Sequence, residues 1–426
     1  MANGKAQEEA KQSARRRVVV TGMGCVTPVG NDLDTTWKAI LDCRSGAAAI
    51  AAFDTTPFVV HFACEVKGYD PAAYMEPREV KRNDPFVHRA VGASKMAMAH
   101  SGLAKGMFVP ERAGAIYASG IGGIQTIEDQ YDRYMQKGAK RVSPFTIPML
   151  MVNDAAGQLA IDLGLKGPNY ATVSACSSSL HALGLAFRHI QWGEADIMVT
   201  GGTEAGITEL GLGAFINMGA LSMRNDNPAA ASRPFDKDRD GFVVGEGAAT
   251  LVLEELEHAR GRNATIFAEV LGYGFTDDAH HITAPETTGD GAVRCMATAI
   301  ANSGLKPEDI DYVNAHGTST PMNDRTESLA LRRVFGSCMD KVSVSSTKGH
   351  TGHLLGAAGA TEAIITVMAL HQGIVPPTMN FHTPDPECDI DVTPNQPKKR
   401  DIRHALSNNF GFGGHNASVC LARYDG

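Results

Sequence analysis

A cysteine at the junction between a β-prone run and a helical one is the first place where this sequence could do chemistry. In NYATVSACSSSLHALGLAFRHIQ, residues 169–191, Tyr170 to Ser174 favour extended backbone. Leu180, Leu183, Phe187 and Ile190 then recur at the three- and four-residue spacing of one helix face. Cys176 falls at the join among small residues, with Ser177 to Ser179 available to cap the helix. A thiol there feels the positive end of the helix dipole and several unpaired N–H groups, both of which favour the nucleophilic thiolate. Most buried cysteines are inert packing, so partners must decide. Two histidines are candidates. His316 follows DYVNA in the segment HGTST, and His353 lies in STKGHTGHLLGAAGA ahead of an apolar helix. A cysteine with loop histidines distant in sequence is a pattern for acyl transfer through a covalent intermediate. His350, three residues before His353, is a rival for the second position.

The elements that must position these residues alternate. Buried strands are predicted near 15–23, 112–118, 195–201, 266–272, 310–315 and 342–346, and at the end in ALSNNFGFGGHNASVCLARY. Helices are predicted from Asn31 or Asp32, through 74–104, 151–163, 180–191, 289–303, 324–335 and 356–371. Alternation of this kind implies helices on both faces of a mostly parallel sheet, with functional residues in the loops after the strands. The rhythm runs twice, with a break near 256–265. That divides the chain into a polar tail 1–14, an N-terminal half 15–256 with the cysteine and a C-terminal half 257–426 with both histidines and the GFGG loop. The expected architecture is a duplicated α/β fold in five layers.

Composition bounds the rest. A chain of 426 residues with 43% hydrophobic and 20% charged residues matches a globular enzyme, and a net charge of −8 gives no reason to expect nucleic acid as a partner. No apolar run approaches the length needed to cross a membrane. The first residues lack the apolar core of a secretory signal, and they carry Glu8 and Glu9 with no arginine before Arg15, unlike a transit peptide. Eight cysteines without CxxC or framework spacing indicate reduced thiols and a cytoplasmic location. No cluster suggests a metal or redox cofactor. Lys348 and Glu327 read as solvent-facing on sequence grounds alone.

VSACSSSLHA, SRPFDKDRDGFVVGEGA, VNAHGTSTPMND, SSTKGHTGHLLGAAGA and SNNFGFGGHN, in this order, resemble the β-ketoacyl-acyl carrier protein synthases, most closely the elongating II type. The resemblance spans about Arg15 to Tyr424. It implies the thiolase fold, βαβαβαββ halves in an α-β-α-β-α sandwich, and a homodimer. It implies decarboxylative condensation of an acyl-enzyme with malonyl-acyl carrier protein to 3-oxoacyl-acyl carrier protein in fatty acid biosynthesis, with no cofactor beyond the phosphopantetheine of the carrier. Carried over by motif, Cys176 is the acyl-accepting nucleophile, His316 and His353 complete a Cys-His-His triad, and Lys348 is the active-site lysine. Glu327 is its expected ion-pair partner, with Asp324 close by. The N–H groups of Cys176 and Phe412 form an oxyanion hole, Phe412 also gating the pocket. Ile121, Phe215, Thr283, Thr318, Thr320 and Phe410 are expected to line the acyl and malonyl sites. Arg78, Lys81, Arg82, Lys140 and Arg141 are expected to meet the acidic carrier protein.

Two positions depart from the family's pattern: Gly219 stands where an arginine is common, which weakens or shifts the carrier site, and His415 stands where bacterial relatives often have threonine. A polyketide-type ketosynthase would use the same triad. A non-catalytic chain-length partner would lack Cys176, a degradative thiolase would need a cysteine where GFGGHN stands, and an initiating synthase would have asparagine in place of His353.

Overall fold

The computed structural model describes residues 15–426, so the predicted tail 1–14 lies outside the described residues. Ten strands form one sheet: β1 (Val18–Val26), β2 (Ala113–Ala118), β3 (Asn169–Tyr170), β4 (Ile197–Glu204), β5 (Gly247–Glu255), β6 (Ala268–Asp277), β7 (Tyr312–Asn314), β8 (Ser343–Ser345), β9 (His404–Gly411) and β10 (His415–Ala422). Their order across the sheet is β8-β7-β9-β10-β6-β1-β5-β4-β2-β3. Read outward from the middle, β1-β5-β4-β2-β3 and β6-β10-β9-β7-β8 repeat one pattern. The first strand of each half is central and the third is at the edge. The two first strands pair with each other, Val18 with Val270 and Val20 with Ala268. The sheet is mixed and not mostly parallel. β3, β2 and β4 run parallel, as do β8, β7 and β9, but the last strand of each half, β5 and β10, returns antiparallel. A helical crossover enforces a parallel neighbour, whereas β9 and β10 are joined by a short turn and must reverse.

The principal helices are α1 (Leu33–Leu41), α2 (Pro85–Ser101), α3 (Ile124–Lys137), α4 (Asp154–Leu163), α5 (Ser178–Gln191), α6 (Glu209–Asn217), α7 (Asp290–Asn302), α8 (Pro321–Phe335) and α9 (Ala358–Gln372). Asp32 and not Asn31 caps α1, its carboxylate accepting the Thr35 N–H at 2.7 Å. Asp84 caps α2, and Pro85 occupies the first turn, where its missing N–H costs nothing. Helices α2 and α4 cover β1, β5 and β2. Helices α5 and α9 pack on each other between the two half-sheets, touching β4, β2, β5 and β9, and α7 covers β6 and β10 with α8 outside it. This gives five layers.

The middle layer explains the composition of α9. Every residue from Ala358 to Leu370 is buried, so this stretch is largely apolar all round, with Glu362 its one carboxylate. Leu180, Leu183, Ile190, Ala360, Ala363 and Ile364 join the largest core cluster with β1, β4 and β5. The site-bearing turns all leave the C-terminal ends of strands: Cys176 beyond β3, Glu204 at the end of β4, His316 beyond β7, Lys348 and His353 beyond β8, and Phe412 beyond β9. The sequence reading extends the strand before Cys176 to Ser174, yet pairing ends at Tyr170, because the chain must turn to bring the thiol over the sheet edge.

Candidate active site

Cys176 lies in a tight turn, Ala175–Ser177, that runs directly into α5. Ala175 is held at φ +50°, a left-handed conformation that costs a non-glycine residue about 1 kcal/mol or more. What holds it is the serine run. Ser178 Oγ donates to the Ala175 carbonyl at 2.6 Å and accepts the Ser174 N–H at 2.8 Å. Ser177 Oγ reaches the carbonyls of Asn409 and His415, and Ser179 Oγ accepts the Ala360 N–H. The three serines therefore do not cap the helix as the sequence suggests. Their hydroxyls close the turn and tie it to the other half of the molecule, a geometric demand that local propensity does not report.

Cys176 Sγ lies 2.9 Å from His353 Nε2, and it and one ring nitrogen each of His316 and His353 lie within 4.8 Å of one another. All three residues are buried. The two imidazoles meet edge to face at 5.4 Å between ring centres, with Phe410 packed on His316 and Phe242 on His353. His353 is anchored through its own backbone, which pairs with Val243 and Gly245. Its Nδ1 accepts the Leu355 N–H at 3.3 Å. A backbone N–H can only donate, so Nδ1 bears a lone pair and the ring proton sits on Nε2. His316 Nδ1 faces the Asn409 amide nitrogen at 3.2 Å, which fixes the same tautomer. Both rings thus present an N–H to the chamber, an arrangement made to donate to an oxygen and not to ligate a cation.

Burial drives the protonation states. It lowers both histidines well below the ordinary imidazole range, and the nearby Lys348 charge lowers them further. Burial also pushes the Cys176 thiol up to about 11, against the opposing pull of Lys348 and of the Phe412 and Cys176 amides. The helix N-terminus alone predicts a lowered value; desolvation outweighs it here. Cys176 rests as a thiol that receives a hydrogen bond from His353, with the Cys176 and Phe412 N–H groups both directed at its sulfur.

Lys348 is 1% exposed and forms a salt bridge with Glu362. Its Nζ also donates to the His316 carbonyl at 2.5 Å. Glu362 in turn accepts from the Asn409 amide at 2.7 Å, and Asn409 reaches His316. Lysine, glutamate, asparagine and histidine thus close a ring of hydrogen bonds around one imidazole. This corrects the expected pairing of Lys348 with Glu327. Glu327 is also buried, but its two oxygens take the His316 and Gly317 N–H groups at 2.9 and 2.7 Å and so clamp the same loop from behind. Asp324 does not reach the reacting atoms either: it accepts the Phe235 N–H at 2.7 Å beside Arg239, supporting a loop that packs against Gly317. Glu362 escaped the sequence reading although its signal was there. A single carboxylate inside an apolar, fully buried helix must have a partner.

The chamber opens into a cavity of about 550 Å³ lined by Cys176, both histidines and Phe412, and by Ile121, Phe215, Thr283, Thr318, Thr320 and Phe410. The expected lining residues therefore converge on one space. Phe412 stands in a turn whose two glycines, at φ +85° and +81°, follow it, and that turn is held by Gly413 N–H to the Ile282 carbonyl. His350 does not enter: its ring lies between the carbonyls of Pro377 and Arg44. On the surface Arg78, Lys81, Lys140 and Arg141 are exposed, and Arg82 stacks on Phe145, drawing its segment against the 139–146 stretch.

Residues 15–259 match the Beta-ketoacyl synthase, N-terminal domain, and residues 267–382 the Beta-ketoacyl synthase, C-terminal domain; the chain belongs to the β-ketoacyl synthase family. It is 49% identical over 410 residues to the 3-oxoacyl-[acyl-carrier-protein] synthase 2 of Synechocystis sp., covering 96% of this chain and 99% of that protein. It is 46% identical over 413 residues to the synthase 2 of Staphylococcus aureus, covering 97% and 100%. Among solved structures, a β-ketoacyl synthase from Burkholderia phymatum superposes with a TM-score of 0.90 at 36% identity, covering 96% of this chain and 100% of that one. A ketosynthase solved in complex with its type II polyketide acyl-carrier protein also gives 0.90, at 33% identity, with 96% and 100% coverage. The fold is the thiolase fold.

Two measurements test this geometry. His353→Ala should lower turnover on the order of a hundredfold or more, because it removes an N–H donor from the reacting centre. His350→Ala should cost less than about tenfold, since its ring touches only carbonyls; equal losses would place the wrong histidine beside the sulfur. Alkylation of Cys176 by iodoacetamide should climb with pH toward an inflection near 11, above the ordinary thiol value of 9.0, because burial disfavours the thiolate. An inflection below 8 would mean that the helix dipole dominates.

Proposed function

We infer that this protein is an elongating β-ketoacyl-carrier-protein synthase that joins an acyl group on Cys176 to a malonyl unit with loss of CO2. The observation that carries the reading is the buried chamber in which Cys176 Sγ and two imidazole nitrogens lie within 4.8 Å of one another at the end of an acyl-sized cavity. Cys176 attacks the thioester carbon of an acyl-carrier protein. The S–C bond forms, the thiol proton leaves with the departing phosphopantetheine sulfur, and the developing oxyanion is met by the Cys176 and Phe412 N–H groups. The acyl group stays on the enzyme while the carrier leaves, which gives ping-pong order.

Malonyl-carrier protein then binds with its thioester oxygen toward His316 and His353. The bond to the carboxylate breaks, CO2 departs, and the electron pair becomes an enolate whose oxygen accepts both Nε2–H bonds. These donors matter most when that charge appears, so they lower the barrier without over-binding the substrate. The enolate carbon attacks the acyl carbon, the C–S bond to Cys176 breaks, and the sulfur recovers a proton. Neutral imidazoles suit this task, and the donor tautomers support a reaction that needs neither metal nor redox cofactor.

The acyl carrier is proposed to dock on Arg78, Lys81, Arg82, Lys140 and Arg141, whose charge would raise the association rate of an acidic partner. A homodimer is proposed through the open edge at β3, where Ile161 on the adjoining α4 and Val173 just beyond the strand are 70% and 58% exposed. No helix among the described residues is long and apolar enough to cross a membrane; the cytoplasm is the proposed location.

Intact-mass spectrometry after mixing with acyl-carrier proteins of short, medium and long chains should show a gain equal to the acyl group, mapping to Cys176 and absent in Cys176→Ala. No gain at any length would leave a non-catalytic partner subunit as the better reading, and the lengths that load best separate fatty acid from polyketide elongation. Reversing the charge at Lys81 and Arg82 should raise the KM for carrier-bound substrate by roughly tenfold and leave a short thioester mimic within about twofold. Equal loss on both substrates would make the patch structural.

A further inference from the structure

Glu204 ends β4 completely buried, and no salt bridge reaches its carboxylate among the described residues. Its charge is instead met by four donors. Oε1 accepts Ser119 Oγ at 2.8 Å and the Ile121 N–H at 3.2 Å; Oε2 accepts the Gly120 N–H at 2.8 Å and the Gly356 N–H at 2.9 Å. Gly120 and Gly356 allow this crowding, since a Cβ at either would stand 2.8 or 2.7 Å from Oε2. Burial raises this carboxyl, and the four donors oppose that rise.

The donors come from both halves of the molecule. Gly120 and Ile121 follow β2, whereas Gly356 lies between His353 and α9. Ile121 and Leu355 both line the cavity that holds Cys176. Their side-chain tips lie close together over Gly206, where an added Cβ would meet Ile121 Cδ1 at 3.3 Å and Leu355 Cδ1 at 3.4 Å. Leu355 is itself held at φ +51°. We propose that Glu204 is a positioning residue for acyl-chain selection: its carboxylate bolts the Ile121 segment to the Leu355 segment and so fixes the wall that an incoming chain must pass. This rests on the condensing reading above. The His353 backbone is paired separately with Val243 and Gly245, and its ring meets the bolted segment only through the Leu355 N–H at 3.3 Å. Glu204 therefore acts chiefly on the acyl half-reaction and only weakly on decarboxylation.

The test compares wild type, Glu204→Gln and Ser119→Ala in two assays: Cys176 acylation by carrier proteins bearing short and long chains, and decarboxylation of malonyl-carrier protein alone. Glutamine keeps the volume but turns an NH2 group toward at least one fixed backbone N–H. The preference between best- and worst-loaded chains should flatten by roughly tenfold, the worth of one buried unmet donor. Decarboxylation should stay within about threefold of wild type, and Ser119→Ala should flatten the preference in the same direction by about threefold. An unchanged preference in both variants overturns the proposal, as does decarboxylation that falls in step with acylation, which marks a merely structural role. Ser119→Ala alone decides if Glu204→Gln does not fold. A wild type that acylates with no chain at all removes the condensing reading, and the proposal with it; a wild type that loads normally beside unaltered variants removes only the role of Glu204.

Discussion

A lysine ammonium sealed inside the protein sets the terms for everything around it. Lys348 is cut off from water, and an isolated charge in such a place would be prohibitively unstable, so the surroundings must supply a counter-charge and acceptors. Glu362 and the His316 carbonyl do so. Once present, the charge acts on its neighbours: it helps keep both imidazoles neutral and offsets part of the desolvation of the Cys176 sulfur. Removing either partner would leave the other buried and unmet, which is the expensive way to break an ion pair. The ring through Asn409 and His316 makes orientation of one imidazole inseparable from that neutralisation.

The duplicated architecture explains how such different groups converge. Each half presents its loops at the same ends of its strands, and the two half-sheets face each other across α5 and α9. Cys176 comes from the first half, and His316, His353 and the Phe412 N–H come from the second. The seam is held by short polar links, Ser177 to Asn409 and His415, Ser179 to Ala360, and Glu204 to Gly356. Cys176, His316 and His353 all sit outside the regular elements, on segments braced by serine hydroxyls, by the Glu327 carboxylate and by backbone pairing respectively.

Much of this was legible in the chain. Alternating apolar runs gave the elements and the doubled rhythm, and the motifs around Cys176, His316, His353 and Phe412 marked the turns that matter. What stayed hidden depends on distance in space. Glu327 lies three residues beyond the motif that holds His316 and invites pairing with Lys348, but its oxygens are already committed to two backbone amides. Glu362 lies in an apolar helix without a motif. The thiol's acidity could not be read from the helix start, because burial, invisible in a local window, decides it. The antiparallel return of β5 and β10 was likewise masked, since a buried strand looks alike in either direction.

The central position of β1 has a consequence for how the molecule is made. Val18 pairs with Glu255 on one side and Val270 on the other, so during synthesis β1 waits for both neighbours. At ordinary rates of synthesis that wait is on the order of ten to fifty seconds, with VVVTGMGCV apolar on both faces. The second half meets a shorter delay of the same kind, because β6 is bordered on its other side by β10. A nascent chain of this topology holds an apolar central strand unpaired for much of its synthesis, a burden that falls on the cell's chaperones and not on the finished fold.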